Sequence, residues 1–354
     1  MFLKSIRLTN FRNQSDVGFE FSPSVNIFVG QNGIGKTNLA EAIYYLCFLK
    51  SFRTSSEEFV LQKDKNHFNV TGNFGFEEGG NSEVILIYKK GEGKKISQNH
   101  KVVNRFSEFI GSHPCVCLTP DDIQISNGSP SGRRKFIDVV ISQTSKIYLD
   151  SLIRYNKIIK QKNKLLSEFE PKKIDDFLDP WDEELSSYCF EIIRRRKDFL
   201  KKISTELSDF YNKLSGGKEE ITVSYESSLE FTETQQDIYN ELVRKRRIEK
   251  ARKSSVFGIH RDDVSFKLSG YAARGFASQG QHKTLILALK LSEINFLKNE
   301  MLESPIAIFD DVFSELDSSR IGEFFKLVGD KTQIFVTTTH EFENLETEKR
   351  IFRI

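Results

Sequence analysis

No stretch of this chain is apolar enough to cross a bilayer: no run approaches the roughly 18 apolar residues that a spanning helix needs. Met1 leads directly into Lys4 and Arg7 without the apolar core of a secretory leader. The expectation is a cytoplasmic protein with no membrane partner. Cysteine is scarce, at four in 354 residues. Cys47, Cys115, Cys117 and Cys189 form neither a pair of CxxC units for zinc nor a dense disulfide framework, so they are read as reduced packing residues. Net charge is nearly absent too, at +2. Bulk electrostatics therefore says nothing about nucleic acid, and any such argument must rest on local patches. Internal repeats and low-complexity linkers are missing. With 38% hydrophobic and 29% charged residues, the chain reads as an ordinary globular protein of roughly two domains.

What is present is αβ patterning at both ends. Residues 2–9 alternate apolar and polar side chains, and Val25–Val29 is a β-branched run that stops at Gly30; both predict strands. Residues 38–49 place Leu39, Ala42, Ile43, Leu46 and Cys47 at helical spacing. Short β-type runs at 67–76, 83–90 and 115–118 predict a small antiparallel sheet beside the first strand. Long helical patterns follow at 133–169 and 181–214, the second ended by Gly216-Gly217, and a last one at 235–253 precedes a return to αβ patterning at Val256. The domains expected are a discontinuous αβ domain, 1–130 with 256–354, and a mostly helical insert at 131–255.

Between the second strand and the first helix lies Gly30-Gln31-Asn32-Gly33-Ile34-Gly35-Lys36-Thr37, which fits GxxxxGK[ST] in the context its mechanism requires. The glycines let backbone N–H groups curl around phosphates, and the helix N-terminus adds positive dipole. Lys36 would hold the β- and γ-phosphates of ATP, and Thr37 would bind Mg²⁺. Residues 306–309 form a buried-strand run that ends in Asp310-Asp311, where one acid can orient the Mg²⁺ shell and the next activate water. Upstream, Ser278-Gln279-Gly280-Gln281 precedes a strong helix at 284–297; downstream lies Ser314-Glu315-Leu316-Asp317. This order resembles ABC-type ATPases, in which such a Ser-Gly-Gln loop grips the γ-phosphate bound by the opposite subunit and the following Asp loop lines the dimer seam. His340, after an apolar strand and Thr337-Thr338-Thr339, stands where such heads carry a γ-phosphate switch. The Gln usual near Leu118-Thr119-Pro120 is absent, and Gln124 is the nearest substitute.

Across essentially its whole length the chain resembles the RecF family of bacterial recombination mediators. The matching stretches are Leu8-Thr9-Asn10-Phe11-Arg12-Asn13, the phosphate loop, Ser51-Phe52-Arg53-Thr54, Thr119-Pro120-Asp121-Asp122, Gly128-Ser129-Pro130, Arg133-Arg134 and Gly258-Ile259-His260-Arg261-Asp262-Asp263. The Ser278–Gln281 string and the segment from Asp310 to Asp317 complete the set. The resemblance implies an α/β fold, an ABC-type P-loop ATPase head with an antiparallel β subdomain and an inserted mostly helical domain. It further implies a weak DNA-dependent ATPase that dimerises on ATP, with Arg12 among the nucleotide contacts. Double-stranded, gapped or junction DNA is the implied ligand, and RecR, with RecO and RecA in the pathway, the implied partners. Ile259 departs from the family's usual Pro, and His282-Lys283 from its usual Gln-Arg.

Three basic runs fall in the insert, at 133–164, 194–202 and 244–253, and suit phosphate-backbone binding, which needs cations in register. A transporter motor subunit would use LSGGQ and lack such an insert. An SMC-type protein would need hundreds of coiled-coil residues between its motifs. An ATP-dependent nuclease of the OLD type would need a metal-binding nuclease domain after Asp311, where only about 40 residues follow. A nucleotide-sensing scaffold that does not turn over ATP shares the same motifs.

Overall fold

The computed structural model describes residues 1–168, 175–217, 219–229, 233–301, 303–313, 316, 318–341 and 348–354. The chain divides into two compact units, Met1–Asp122 with Leu287–Ile354, and Ile123–Ile286. In chain order the first unit supplies β1 (Phe2–Phe11), β2 (Gln14–Glu20), β3 (Val25–Val29), α1 (Lys36–Phe48), β4 (His67–Gly75), β5 (Asn81–Lys89), β6 (Gly93–Gln98), β7 (Lys101–Val102), α2 (Phe106–Phe109) and β8 (Cys115–Leu118). The second contains α3 (Gln124–Asn127), α4 (Pro130–Thr144), α5 (Lys146–Glu168), α6 (Asp175–Ser215), β9 (Ile221–Glu226), α7 (Gln235–Arg252), β10 (Asp263–Leu268), β11 (Tyr271–Ala272) and α8 (Ala273–Phe276). Helix α9 (Gln279–Met301) starts in the second unit and ends in the first, which continues with β12 (Ile306–Asp310), α10 (Ser318–Val328), β13 (Ile334–Thr338) and β14 (Lys349–Arg353).

The first unit holds a five-stranded sheet in the order β14-β3-β13-β12-β8, with every pairing parallel. Strands β12 and β13 are buried along their whole length, as a parallel sheet covered on both faces requires. Register decides the site. Asp310 stands opposite Thr337, and Thr338 opposite Val29, so the carboxyl ends of β3, β13 and β12 lie side by side, where ligands of open α/β sheets bind. Helix α1 leaves from that edge and is buried nearly all round, touching β1 and β4 of the second sheet as well as β8, β12 and β13. That second sheet is antiparallel, in the order β2-β1-β4-β5-β6-β7.

In the second unit α5, α6 and α7 pack together, and β9, β10 and β11 form a small antiparallel sheet. This unit is wider than the insert expected at 131–255, because that sheet and the short helices α3 and α8 belong to it. The long helical pattern at 133–169 also proves to be two helices. Ser145 adopts extended φ/ψ of −137° and 107°, and its hydroxyl accepts from the Tyr148 amide at 3.2 Å, so one serine ends α4 and caps α5. Gly216 and Gly217, at φ +78° and +75°, stop α6 as their sequence foretold. Among the described residues no helix is long and apolar enough to cross a membrane.

Candidate functional site

Glycine chemistry shapes the phosphate loop. Gly35 has φ +119°, and a Cβ there would lie 2.8 Å from Asn13 Nδ2; a Cβ on Gly30 would come within 2.6 Å of the Ile354 carbonyl oxygen. Gln31, Asn32, Gly33 and Ile34 form the exposed tip. Gly35 caps α1 without a side-chain hydrogen bond, and although the Asn38 amide donates to the Gly35 carbonyl at 3.1 Å, the Lys36 and Thr37 amides open the helix where its dipole favours an anion. Lys36 is buried, and its ammonium donates to the Gly30 and Gln31 carbonyls at 2.7 and 2.8 Å, which holds its cation under the loop.

Thr37 follows at the same helix start, and its hydroxyl donates to Asp310 Oδ1 at 2.9 Å. The same oxygen accepts from Thr337 Oγ1 at 2.7 Å. Burial pushes the Asp310 carboxyl above its ordinary range, while the hydrogen bonds from Thr337 and Thr37 oppose the shift. A hydroxyl and a buried carboxylate in contact beside a phosphate loop fit a hard divalent cation that takes its remaining ligands from phosphate and water oxygens. Thr37 and Asp310 are the residues that could hold Mg²⁺ in this way. Asp311 has φ +52°, a conformation that only Asn, Asp and Gly adopt readily; its amide donates to the Thr337 carbonyl and hydroxyl at 3.2 and 3.0 Å. The backbone thus kinks at the second acid, directly after the strand end that holds Asp310. His340 is exposed, and its backbone is tied on both sides to the Thr338 hydroxyl.

Arg12 is engaged with Glu41 of α1, at 2.9 Å from Nε and 2.6 Å from Nη2. Glu41 is fully buried and also accepts from Ser51 and, at 3.4 Å, from Arg53, which reaches Asn38 Oδ1 at 2.9 Å. Asn13 donates to the Ile34 carbonyl at 3.0 Å and accepts from Asn38 at 2.8 Å, clamping the loop to α1. Asn13 touches the loop, while Glu41 and Arg53 join α1 to Arg12 and Ser51 behind it; no motif spacing encodes these tertiary contacts, although Asn13 and Arg53 stood in stretches that carried the family resemblance.

Ser278, Gly280 and Gln281 lie in the second unit. Ser278 Oγ accepts from the Gln281 amide at 3.2 Å, and the Ser278 amide donates to Gln281 Oε1 at 2.6 Å: a capping box that opens α9. A Cβ on Gly280 would meet nothing closer than Ser278 Oγ at 3.9 Å, so this turn stands open. Gln124 is exposed at the start of α3. Asp317, with Ser314 and Glu315, lies outside the described residues.

The basic runs need correction, because much of their charge is internal. Lys162 is fully buried between Asp182 at 2.6 Å and Glu249 at 2.7 Å. Buried Arg246 binds Asp182 and Asp179, each at 2.7 Å. Arg196 is 1% exposed and binds Asp138 at 2.8 Å and the Ile259 carbonyl at 3.0 Å, while Arg133 pairs with Asp263 at 2.7 Å. Even exposed Arg244 pairs with Glu241 at 2.8 Å. The spacing of cations along the sequence could not show which acids another helix would bring to them. Lys157 and Lys160 on α5, Lys197 and Lys201 on α6, and Arg247 on α7 remain exposed.

The family model for the RecF/RecN/SMC N terminal domain matches residues 2–354. The DNA replication and repair protein RecF of Streptococcus uberis is 37% identical over 347 residues, covering 96% of this chain and 93% of that one. Its counterpart in Streptococcus suis is 37% identical over 360 aligned positions, covering 100% and 98%. The solved structure of the recombination mediator protein RecF-ATPrS in the RecFOR pathway superposes with a TM-score of 0.91 at 33% identity, covering 100% of this chain and 96% of that one. An Smc head bound to the C-winged helix domain of ScpA, at 17% identity and a TM-score of 0.56 over 97% and 90%, shares the fold alone. Similarity at this level over nearly the whole length, together with the match of the family model, means that the chain belongs to the RecF family.

Proposed function

We propose that this protein is an ATP-driven switch of DNA replication and repair, whose heads close as a homodimer over ATP and bind double-stranded or gapped DNA in the closed form. The observation that carries the reading is the joining of Lys36, Thr37, Asp310 and Asp311 at one sheet edge, from segments 273 residues apart. Named relatives in DNA replication and repair, and a RecF solved with ATP in the RecFOR pathway, support the same assignment. On this reading Lys36 lies against the β- and γ-phosphates, with the α1 amides and the Gly30–Gly35 loop around them. Thr37 and Asp310 would hold Mg²⁺, which when bound would supply positive charge against the phosphate oxygens. Asp311 orients the attacking water and takes its proton. Ser278, Gly280 and Gln281 reach nucleotide held by the partner, with Asp317 at the seam; His340 senses the γ-phosphate, and Arg12 is braced by Glu41 beside the loop. Exposed cations of the helices in the second unit take DNA phosphates. Hydrolysis is slow, stimulated by DNA, and times release; RecR, with RecO, uses the bound state to help load RecA. An SMC-like or transporter-type role with a different partner is the rival reading.

Titration with a fluorescent ATP analogue and Mg²⁺ tests the foundation. Lys36→Ala removes a buried cation that no neighbour replaces, and affinity should fall at least about tenfold, the scale of a lost charge-assisted hydrogen bond. Unchanged affinity would mean that the loop does not hold phosphates.

A further inference from the structure

The direction in which the Gln281 amide faces determines what Ser278 can donate. Its oxygen accepts from the Ser278 amide at 2.6 Å. Its NH₂ group donates to Glu219 Oε1. The other carboxylate oxygen of Glu219 accepts from the Tyr211 hydroxyl at 2.6 Å, and Tyr211 is fully buried on α6. The backbone around Glu219 is fixed as well, since the neighbouring Glu220 carbonyl accepts from the Ser269 amide at 2.7 Å. An ionised carboxylate only accepts hydrogen bonds. Glu219 therefore requires a donor from both partners, and of the two ends of the Gln281 amide it selects NH₂. Were that amide turned over, its NH₂ would face the Ser278 N–H, donor against donor, and the capping box would open. In the orientation that Glu219 imposes, Ser278 Oγ accepts from the Gln281 backbone, which leaves the hydroxyl of this exposed residue its own proton to donate.

We propose that Glu219 is a positioning residue for the Ser278–Gln281 loop, locking the Gln281 amide so that the Ser278 hydroxyl is held ready to donate to a γ-phosphate bound by a second copy of the chain. The inference rests on the reading of this loop as a contact made across a dimer. Glu219 touches no nucleotide itself. Its removal should therefore leave ATP binding by the monomer intact and weaken only the closed pair.

The test uses the full chain with ATP, following mass by light scattering and phosphate release across a range of protein concentrations, beside fluorescent-nucleotide affinity at low concentration. Glu219→Ala should shift dimerisation and half-maximal hydrolysis to at least about tenfold higher protein concentration, as expected for losing hydrogen bonds to a charged group. Glu219→Gln should stay within about threefold, because its oxygen can accept from Gln281 and its NH₂ can donate to the Tyr211 hydroxyl, keeping both links. If the alanine variant melts early, Tyr211→Phe replaces it, with a smaller shift in the same direction; loss of nucleotide affinity by a folded Glu219→Ala would overturn the positioning role. Parental dimerisation by Glu219→Ala while Ser278→Arg stays monomeric would overturn the relay and leave the dimer reading standing. Equal losses in Glu219→Ala and Glu219→Gln would overturn the hydrogen-bond basis. Normal dimerisation by Ser278→Arg would remove the reading beneath both.

Discussion

Replacing Asp311 by Asn separates the chemistry from the architecture. Asp311 sits at φ +52° with its amide bound to Thr337, and both features belong to the backbone. Asn tolerates this left-handed conformation nearly as well as Asp, whereas Ala loses about 1–2 kcal/mol there. Asp311→Asn should thus keep the parental melting temperature, while Asp311→Ala should melt lower by several degrees, at about 2–4 °C per kcal/mol for a domain of this size. On the proposed mechanism both variants lose the carboxylate that would accept the proton of water, so hydrolysis should fall by about 10² or more, the scale of a lost general base. That factor corresponds to about 2.7 kcal/mol of barrier. Nucleotide affinity and dimer closure should persist in the Asn variant, trapping the closed form. If DNA binds that form preferentially, ATP should hold Asp311→Asn on DNA longer than the parent. A phosphate-release assay and a gel-shift time course after excess competitor DNA measure the two quantities. Parental hydrolysis by Asp311→Asn would move the catalytic carboxylate elsewhere, with Glu315 next in line. Loss of hydrolysis with unchanged DNA dissociation would refute the link between ATP and release.

Two further outcomes follow from charge placement. Neutralising Lys157, Lys160, Lys197 and Lys201 together should weaken DNA binding and flatten its salt dependence by about 0.9 of a logarithmic unit for each DNA phosphate deprived of its cation; an unchanged slope would assign these cations to solvent. Arg246→Ala, in contrast, leaves two buried carboxylates, Asp182 and Glu249, to share the single cation of Lys162 and should cost about 3–5 kcal/mol in denaturant unfolding, and a cost under about 1 kcal/mol would contradict its structural role. His113 is 1% exposed, its ring centroid 4.2 Å from that of Phe74 and 5.2 Å from that of Phe109, and burial lowers its pKa to about 4. Because the folded value lies below the unfolded 6.5, the stability it supports is present above pH 6.5 and is lost as pH falls towards 4, by up to about 3 kcal/mol. His113→Phe should remove that part of the acid sensitivity, and an identical pH–stability curve would contradict it.

Much of the head was legible because its signals are local. The phosphate loop announces itself by glycines placed between a strand and a helix. The Asp310-Asp311 pair ends a run too apolar to be anything but a buried strand, and Gly216-Gly217 stops α6 where it should. What stayed hidden depends on contacts between distant segments. Ser145 reads as one more position in a helical pattern until its hydroxyl is seen capping α5. Lys162, Arg196 and Arg246 read as surface charge until other helices bring Asp182, Asp138 and Glu249 against them. Glu41 sits on a helix whose apolar spacing gave no reason to notice it, yet it gathers Arg12 and Arg53 beside the loop. Periodicity shows which face of an element is buried, but not which partner waits there.

Closure of two chains over ATP is the central claim, and light scattering after size exclusion tests it most directly, with and without ATP and Mg²⁺, on the parent and on Ser278→Arg. The expected results are a monomer without nucleotide, a doubled mass with saturating ATP, and a Ser278→Arg variant that binds the fluorescent analogue with parental affinity yet stays monomeric. A parent that remains monomeric under saturating ATP, or a Ser278→Arg variant that doubles its mass as the parent does, would contradict it.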